Sequence, residues 1–332
     1  MSAMLQSPAG PDVPPTIQAT LQDDNPWWRG ERLFGLPSLR RWAFQPVLHG
    51  VKQGLTPATV LRGPRQVGKT TLLNQVIEAL LDEGVAPQRI FRVQFDELPT
   101  LRGVTEPILE LTRWYATTVL KKSLNRAAHD GEQAYLFFDE VQNLPDWAPQ
   151  LKHLVDTQPV RVLVTGSSAL RIEAGRDSLA GRVSTLEMGP LLLREIAQLR
   201  GFGVLKPLLA PNGLAPLKTQ QFWQELRTMG ERHVDARRQA FAAFAEWGGY
   251  PVAQTRLDQP WEAIADLLNE TVIRRVVQHD LRVGPYGRRR DAQLLEAVFR
   301  LACRYLGQAP SPTYTPRNSD MCYMPTLAGA AC

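Results

Sequence analysis

Gly63-Pro64-Arg65-Gln66-Val67-Gly68-Lys69-Thr70 fits the pattern GxxxxGK[ST] at every fixed position. Its flanks are those the pattern needs. Ala58–Arg62 reads as a short apolar strand. Thr70–Leu81 reads as a helix with Leu72, Leu73, Val76, Ile77, Leu80 and Leu81 on one stripe, stopped by Gly84. Glycines let a backbone curl until its N–H groups converge on an anion. A helix that begins at the same place aims its positive end there too. The expected binding residues are Gly63, Pro64, Arg65, Gln66, Val67, Gly68, Lys69, Thr70 and Thr71. Lys69 would bridge the β- and γ-phosphates of ATP, and the Thr70 hydroxyl would hold Mg²⁺.

Further along, Tyr135-Leu136-Phe137-Phe138 is an apolar strand that runs into Asp139-Glu140. Asp139 at the strand end can reach the Mg²⁺ opposite Thr70. Strand alternation predicts that Glu140 points elsewhere, where it can polarise an attacking water as a general base. Val160–Val164 is another apolar strand, followed by Thr165-Gly166-Ser167-Ser168. Ligands of parallel sheets sit at the carboxyl ends of strands. Ser167 could therefore sense the γ-phosphate, or it could simply cap the helix that starts near Ala169. Arg182, or less readily Arg176, could place a guanidinium on the γ-phosphate in the same chain or in a neighbour; a surface ion pair is the alternative.

Strands at 58–62, 89–95, 134–138 and 160–164 alternate with helices at 70–81, 106–124 and 147–155. That order predicts an α/β fold: a parallel sheet covered by helices on both faces, the three-layer αβα arrangement of P-loop NTPases. After Pro190 the signal is helical, with stretches at 220–229, 234–247, 261–277 and 292–305, interrupted by Gly248-Gly249-Tyr250-Pro251. Residues 1–24, rich in Pro, Ser, Ala and Asp, read as a flexible leader. Asn25-Pro26 reads as a helix start, and Trp27, Trp28, Trp42 and Phe44 supply anchors for helices that pack on the strand–helix region downstream.

These motifs, together with Met188-Gly189-Pro190-Leu191 and the run to Glu195, resemble the bacterial and archaeal AAA-type ATPases that carry a C-terminal domain of unknown function. That group is related to the signalling STAND-like P-loop proteins. The stretches that match are Leu61–Thr71, Tyr135–Trp147, Val162–Ser168, Ser178–Glu195 and Gly248–Pro251. The resemblance implies an AAA+ ATPase core over 25–190, a helical lid over 191–283 and a winged helix that starts at 284–307. The tail 308–332 departs from that plan and points to a truncation or a shifted reading frame.

The chain has 332 residues, 44% of them hydrophobic, and a formal net charge of +5. That balance permits a nucleic-acid or acidic partner without requiring one. The runs Arg288–Arg290 and Arg227–Arg238 offer a DNA- or protein-docking surface in the C-terminal part, or a solvated face. Cys303, Cys322 and Cys332 lack the spacing of a disulfide framework or a zinc site. No secretory signal is apparent and no apolar run approaches 20 residues, so a cytoplasmic protein is expected. The absence of an NKxD segment disfavours a GTPase. The sequence thus predicts an Mg²⁺-dependent ATP hydrolase acting as a switch or motor, either as a monomer or a homo-oligomer. The competing reading is a nucleotide-dependent binding module with little hydrolysis.

Overall fold

The computed structural model describes residues 13–96, 104–167, 179–208, 215–277, 291 and 293–298. Five strands form one sheet: β1 (Ala58–Arg62), β2 (Ile90–Gln94), β3 (Tyr135–Asp139), β4 (Arg161–Gly166) and β5 (Val183–Glu187), in the order β2-β3-β4-β1-β5. Every pairing is parallel, with Ala58 opposite Val162 and Val183, Ile90 opposite Tyr135, and Tyr135 opposite Arg161. The α/β reading therefore holds. The sequence missed β5 because only Val183 and Leu186 are even half-buried in it, as suits an edge strand.

Side chains leave the sheet alternately and enter two cores. Val60, Leu136, Phe138, Val162 and Val164 pack on one face with α4 (Pro107–Thr118), α5 (Leu124–His129) and α6 (Trp147–Thr157). Leu61, Phe137 and Leu163 pack on the other with α2 (Phe44–Gln53) and α3 (Lys69–Asp82). With both faces of β1 to β4 covered, these strands are largely buried and lack an amphipathic period.

Three expectations require correction. Part of the supposed flexible leader is helix α1 (Pro15–Asp24). Val13, Ile17 and Leu21 recur every four residues and bury themselves in the first core, a stripe that outweighs the polar composition. Residues 106–124 are not one helix. α4 ends at Thr118, Lys121 adopts φ 56°, and Ser123 caps α5 by accepting from the N–H of Arg126. The stretch 261–277 is α-helical only from Trp261 to Leu268 and π-helical over Asn269–Arg274.

Asn25 does not cap a helix with its side chain either. Its buried amide donates to the carbonyls of Leu21 (2.7 Å) and Arg92 (2.8 Å) and accepts from the N–H of Arg92 (2.7 Å). Trp27 and Trp28 both donate their indole N–H to the carbonyl of Ile90. Together they satisfy the open edge of β2.

Beyond the sheet come α7 (Leu193–Leu199), α8 (Gln220–Arg232), α9 (Val234–Trp247), α10 (Pro251–Thr255) and α11 (Trp261–Leu268). Leu191, Ile196 and Ala197 form a small core with Ala240 and Ala243 of α9. Residues up to Val272 make one compact unit. A second unit begins at Ile273, and its described part includes a helical turn over 293–298. Most of the expected winged-helix start, the tail, the three cysteines, Arg176 and Arg288–Arg290 lie outside the described residues. Among the described residues no helix is long and apolar enough to cross a membrane.

Candidate active site

The phosphate-loop sequence leaves β1 at Arg62 and re-enters regular structure at Lys69. Gly63 has φ 158°, and a Cβ there would lie 2.0 Å from the carbonyl oxygen of Met188. Only glycine allows that approach, which continues the β1–β5 contact into the loop. Gln66 (φ 60°) and Gly68 (φ 94°) supply the left-handed residues that curl the loop. Buried Val67 anchors its apex in the second core, while Pro64 and Gln66 face solvent. Thr71 lies half-buried in the first turn of α3.

Strand order does the rest. β4 lies between β1 and β3, so its carboxyl end separates the loop from the Asp139-Glu140 pair. The Lys69 ammonium donates to the carbonyls of Gly63 (3.0 Å) and Pro64 (2.9 Å) and to Ser167 Oγ (3.0 Å). It lies 3.7 Å from a Glu140 carboxylate oxygen. Burial pulls its pKa down, opposed by the charges of Glu140 and Asp139. The Ser167 hydroxyl lies 2.6 and 2.7 Å from the two Glu140 oxygens and donates to that carboxylate. The Ser167 hydroxyl thus bridges the Lys69 ammonium and the Glu140 carboxylate.

Asp139 is fully buried at the end of β3. The Thr165 hydroxyl donates to its Oδ1, and the Thr70 hydroxyl lies near enough to help hold its pKa down. Its Oδ2 is buried without a hydrogen-bond partner, 3.7 Å from Arg92 Nη2. Burial pushes the Asp139 carboxyl up, against the pull of Thr165, Arg92 and Thr70. An orphaned carboxylate oxygen beside a threonine hydroxyl is an oxygen donor set suited to a hard divalent cation, so the residues fit Mg²⁺.

Glu140 is placed differently from the expectation. Strand alternation does not separate it from Asp139, because β3 has already ended and Glu140 takes a left-handed conformation (φ 55°). That turn brings both carboxylates to the loop side. A non-glycine residue there costs about 1 kcal/mol or more and needs outside support. Thr165 gives it: one hydroxyl accepts from the Glu140 N–H at 3.1 Å and donates to Asp139. Gln142 completes the frame, donating to the Glu140 carboxylate and accepting from the N–H of Ser167 at 3.3 Å. Sequence reading missed Arg92, Gln142 and the particular role of Thr165; the threonine and glutamine stood beside recognised motifs, whereas nothing in β2 marked the arginine.

Arg182 is not brought to this site. It precedes β5, and its carbonyl accepts from the N–H of Ala58 (3.2 Å) at the amino end of β1. The loop lies a strand length away, about 13 Å at 3.3 Å per residue. The guanidinium instead pairs with Asp156 at 2.6 Å, half-exposed. The basic run 227–238 is partly engaged as well: Arg227 pairs with Glu231, and Arg237 donates to the carbonyl of Gly230. A cleft of about 520 Å³ between α4, α5 and α6, floored by Leu109, Ala116, Leu124 and Leu154, shares no residue with the site.

Residues 55–197 match the family model described as an AAA domain. Uncharacterized proteins of Mycobacterium tuberculosis and Mycobacterium bovis are each 30% identical to this chain over 163 residues, covering 48% of it and 30% of their own length. An uncharacterized protein of Methanocaldococcus jannaschii is 31% identical over 136 residues, covering 41% of this chain and 26% of its own. The chain thus spans less than a third of the length of these relatives. Of the solved structures, a Walker-type ATPase of Pyrococcus abyssi is 17% identical with a TM-score of 0.42, over 81% of this chain and 77% of that one. The AAA domain of FIGL-1 in complex with ADP is 14% identical with a TM-score of 0.36, over 73% of this chain and 92% of that one. With its parallel sheet, its phosphate-loop sequence and the carboxylates beside it, the stretch 55–197 is similar to AAA domains.

Proposed function

We propose that the chain binds ATP with Mg²⁺ at the Gly63–Thr71 loop and hydrolyses it, with Glu140 as the general base. The observation that carries this is the Lys69–Ser167–Glu140 chain of contacts. The ammonium is satisfied by the loop's own carbonyls and by the serine. A triphosphate offers stronger, charged acceptors in the same place. As Lys69 turns to the β- and γ-phosphates, Ser167 loses one partner and Glu140 loses its nearby cation. The carboxylate, held by Ser167 and Gln142, is then free to accept a proton from water. Thr70 and Asp139 would hold Mg²⁺, which neutralises charge on the phosphates when bound. Such a rearrangement at Lys69, Ser167 and Glu140 also makes the nucleotide a switch.

Turnover of ATP with Mg²⁺ by the wild type and by Glu140→Gln tests the proposal. The variant is expected to bind nucleotide normally and to turn it over about 10²- to 10⁴-fold more slowly. Equal turnover would remove Glu140 from the role and favour a binding module in its place.

A further inference from the structure

Arg41 comes from the irregular segment before α2, in no recognised motif, yet it is buried against the phosphate loop. Its Nη1 donates to the carbonyl of Val67 at 2.5 Å. Its Nη2 donates to the carbonyls of Gly189 and Pro190, each at 3.0 Å, in the strap that leaves β5. Its Nε donates to Glu195 at 2.8 Å. Four of the five guanidinium donors are therefore used. Glu195 is buried too. It accepts from the backbone N–H of Trp42 (2.7 Å) and of Leu192 (2.9 Å), so the carboxylate ties the segment that presents the arginine to the start of α7. The strap itself is tied down by the Leu191 N–H, which donates to Gly249 at 2.7 Å.

In a trans peptide the C=O and the N–H point in opposite directions. Holding the Val67 carbonyl outward therefore turns the Gly68 N–H the other way, toward the side where an anion would be cradled. Gly68 has φ 94° and no Cβ, so nothing of its own fixes that orientation.

We propose that Arg41 is a positioning residue for the phosphate loop, orienting the Gly68 amide through the Val67 carbonyl, and that Glu195 holds it in place. This rests on the nucleotide reading of the loop. A lysine at 41 keeps the charge but cannot reproduce the fork, whose donors reach Val67, the strap and Glu195 at once.

The test uses the full chain with Arg41→Lys, Glu195→Gln and, as a control, Arg40→Lys. Two quantities are read on each: affinity for a fluorescent ATP analogue with Mg²⁺, and hydrogen exchange of the 65–70 amides without nucleotide. Arg41→Lys is expected to weaken binding at least tenfold and to speed exchange selectively in 65–70. Glu195→Gln should do the same to a lesser degree, and Arg40→Lys should change neither. Wild-type affinity and exchange in folded Arg41→Lys or Glu195→Gln would overturn the proposal. So would exchange that accelerates equally throughout the chain, or unfolding of both variants, since either outcome makes the pair merely a prop of the fold. If the wild type binds no analogue while loop exchange still responds to Arg41→Lys, the nucleotide reading fails and the positioning role stands.

Discussion

At the scale of single residues, the site depends on hydroxyls that each serve two partners. Thr165 accepts from the Glu140 N–H and donates to Asp139, so it supports a left-handed backbone and orients a buried carboxylate at once. Thr165→Val keeps the shape and removes both bonds. The Glu140 N–H would lose its acceptor and Asp139 a donor, at a cost of about 1–3 kcal/mol each. We expect a stability loss of about 2–4 kcal/mol by urea denaturation. Turnover should fall at least about tenfold, since each 1.36 kcal/mol is a factor of ten. An unchanged denaturation midpoint would show that the Glu140 turn needs no such support. The motif residues here were legible because their chemistry is local: a loop pattern, a strand ending in carboxylates, a strand ending in hydroxyls. Arg92, Arg41 and Gln142 were not, since their roles depend on partners up to 154 positions away in the chain.

At the scale of elements, β2 is an edge strand closed by side chains in place of another strand. Asn25 imitates a strand neighbour by giving and taking one hydrogen bond at Arg92. Asn25→Ala would orphan the buried N–H and C=O of Arg92. The expected loss is about 2–4 kcal/mol, with nucleotide affinity nearly unchanged in the folded fraction. Denaturation and binding measured together check this, and a change below about 0.5 kcal/mol would refute the edge-capping role. Helix α1, which packs beside this edge, shows why its type was hard to read. Its two core residues, Ile17 and Leu21, are diluted by a proline and polar residues, and tertiary burial outweighs a weak local preference. The opposite edge, β5, was missed for the complementary reason: exposure left it no apolar pattern.

At the scale of the whole molecule, the parallel sheet gives every strand a functional carboxyl end and a remote amino end. Arg182 lies at the amino end, beside Asp156 and away from the phosphate loop of its own chain. If it acts on phosphate, it acts on a neighbouring copy. We predict that Arg182→Ala lowers turnover at least about tenfold without weakening nucleotide binding, and that mixing it with Glu140→Gln restores part of the lost rate, as shared sites require. Turnover unaffected by Arg182→Ala would leave it as the surface partner of Asp156. The central claim concerns the loop itself and is tested most directly by equilibrium titration of ATP with Mg²⁺ into the wild type and Lys69→Ala. Saturable binding by the wild type, weakened at least about a hundredfold in the variant (about 2.7 kcal/mol or more), is the predicted result. No heat of binding in the wild type, or equal affinity in the two proteins, would contradict it.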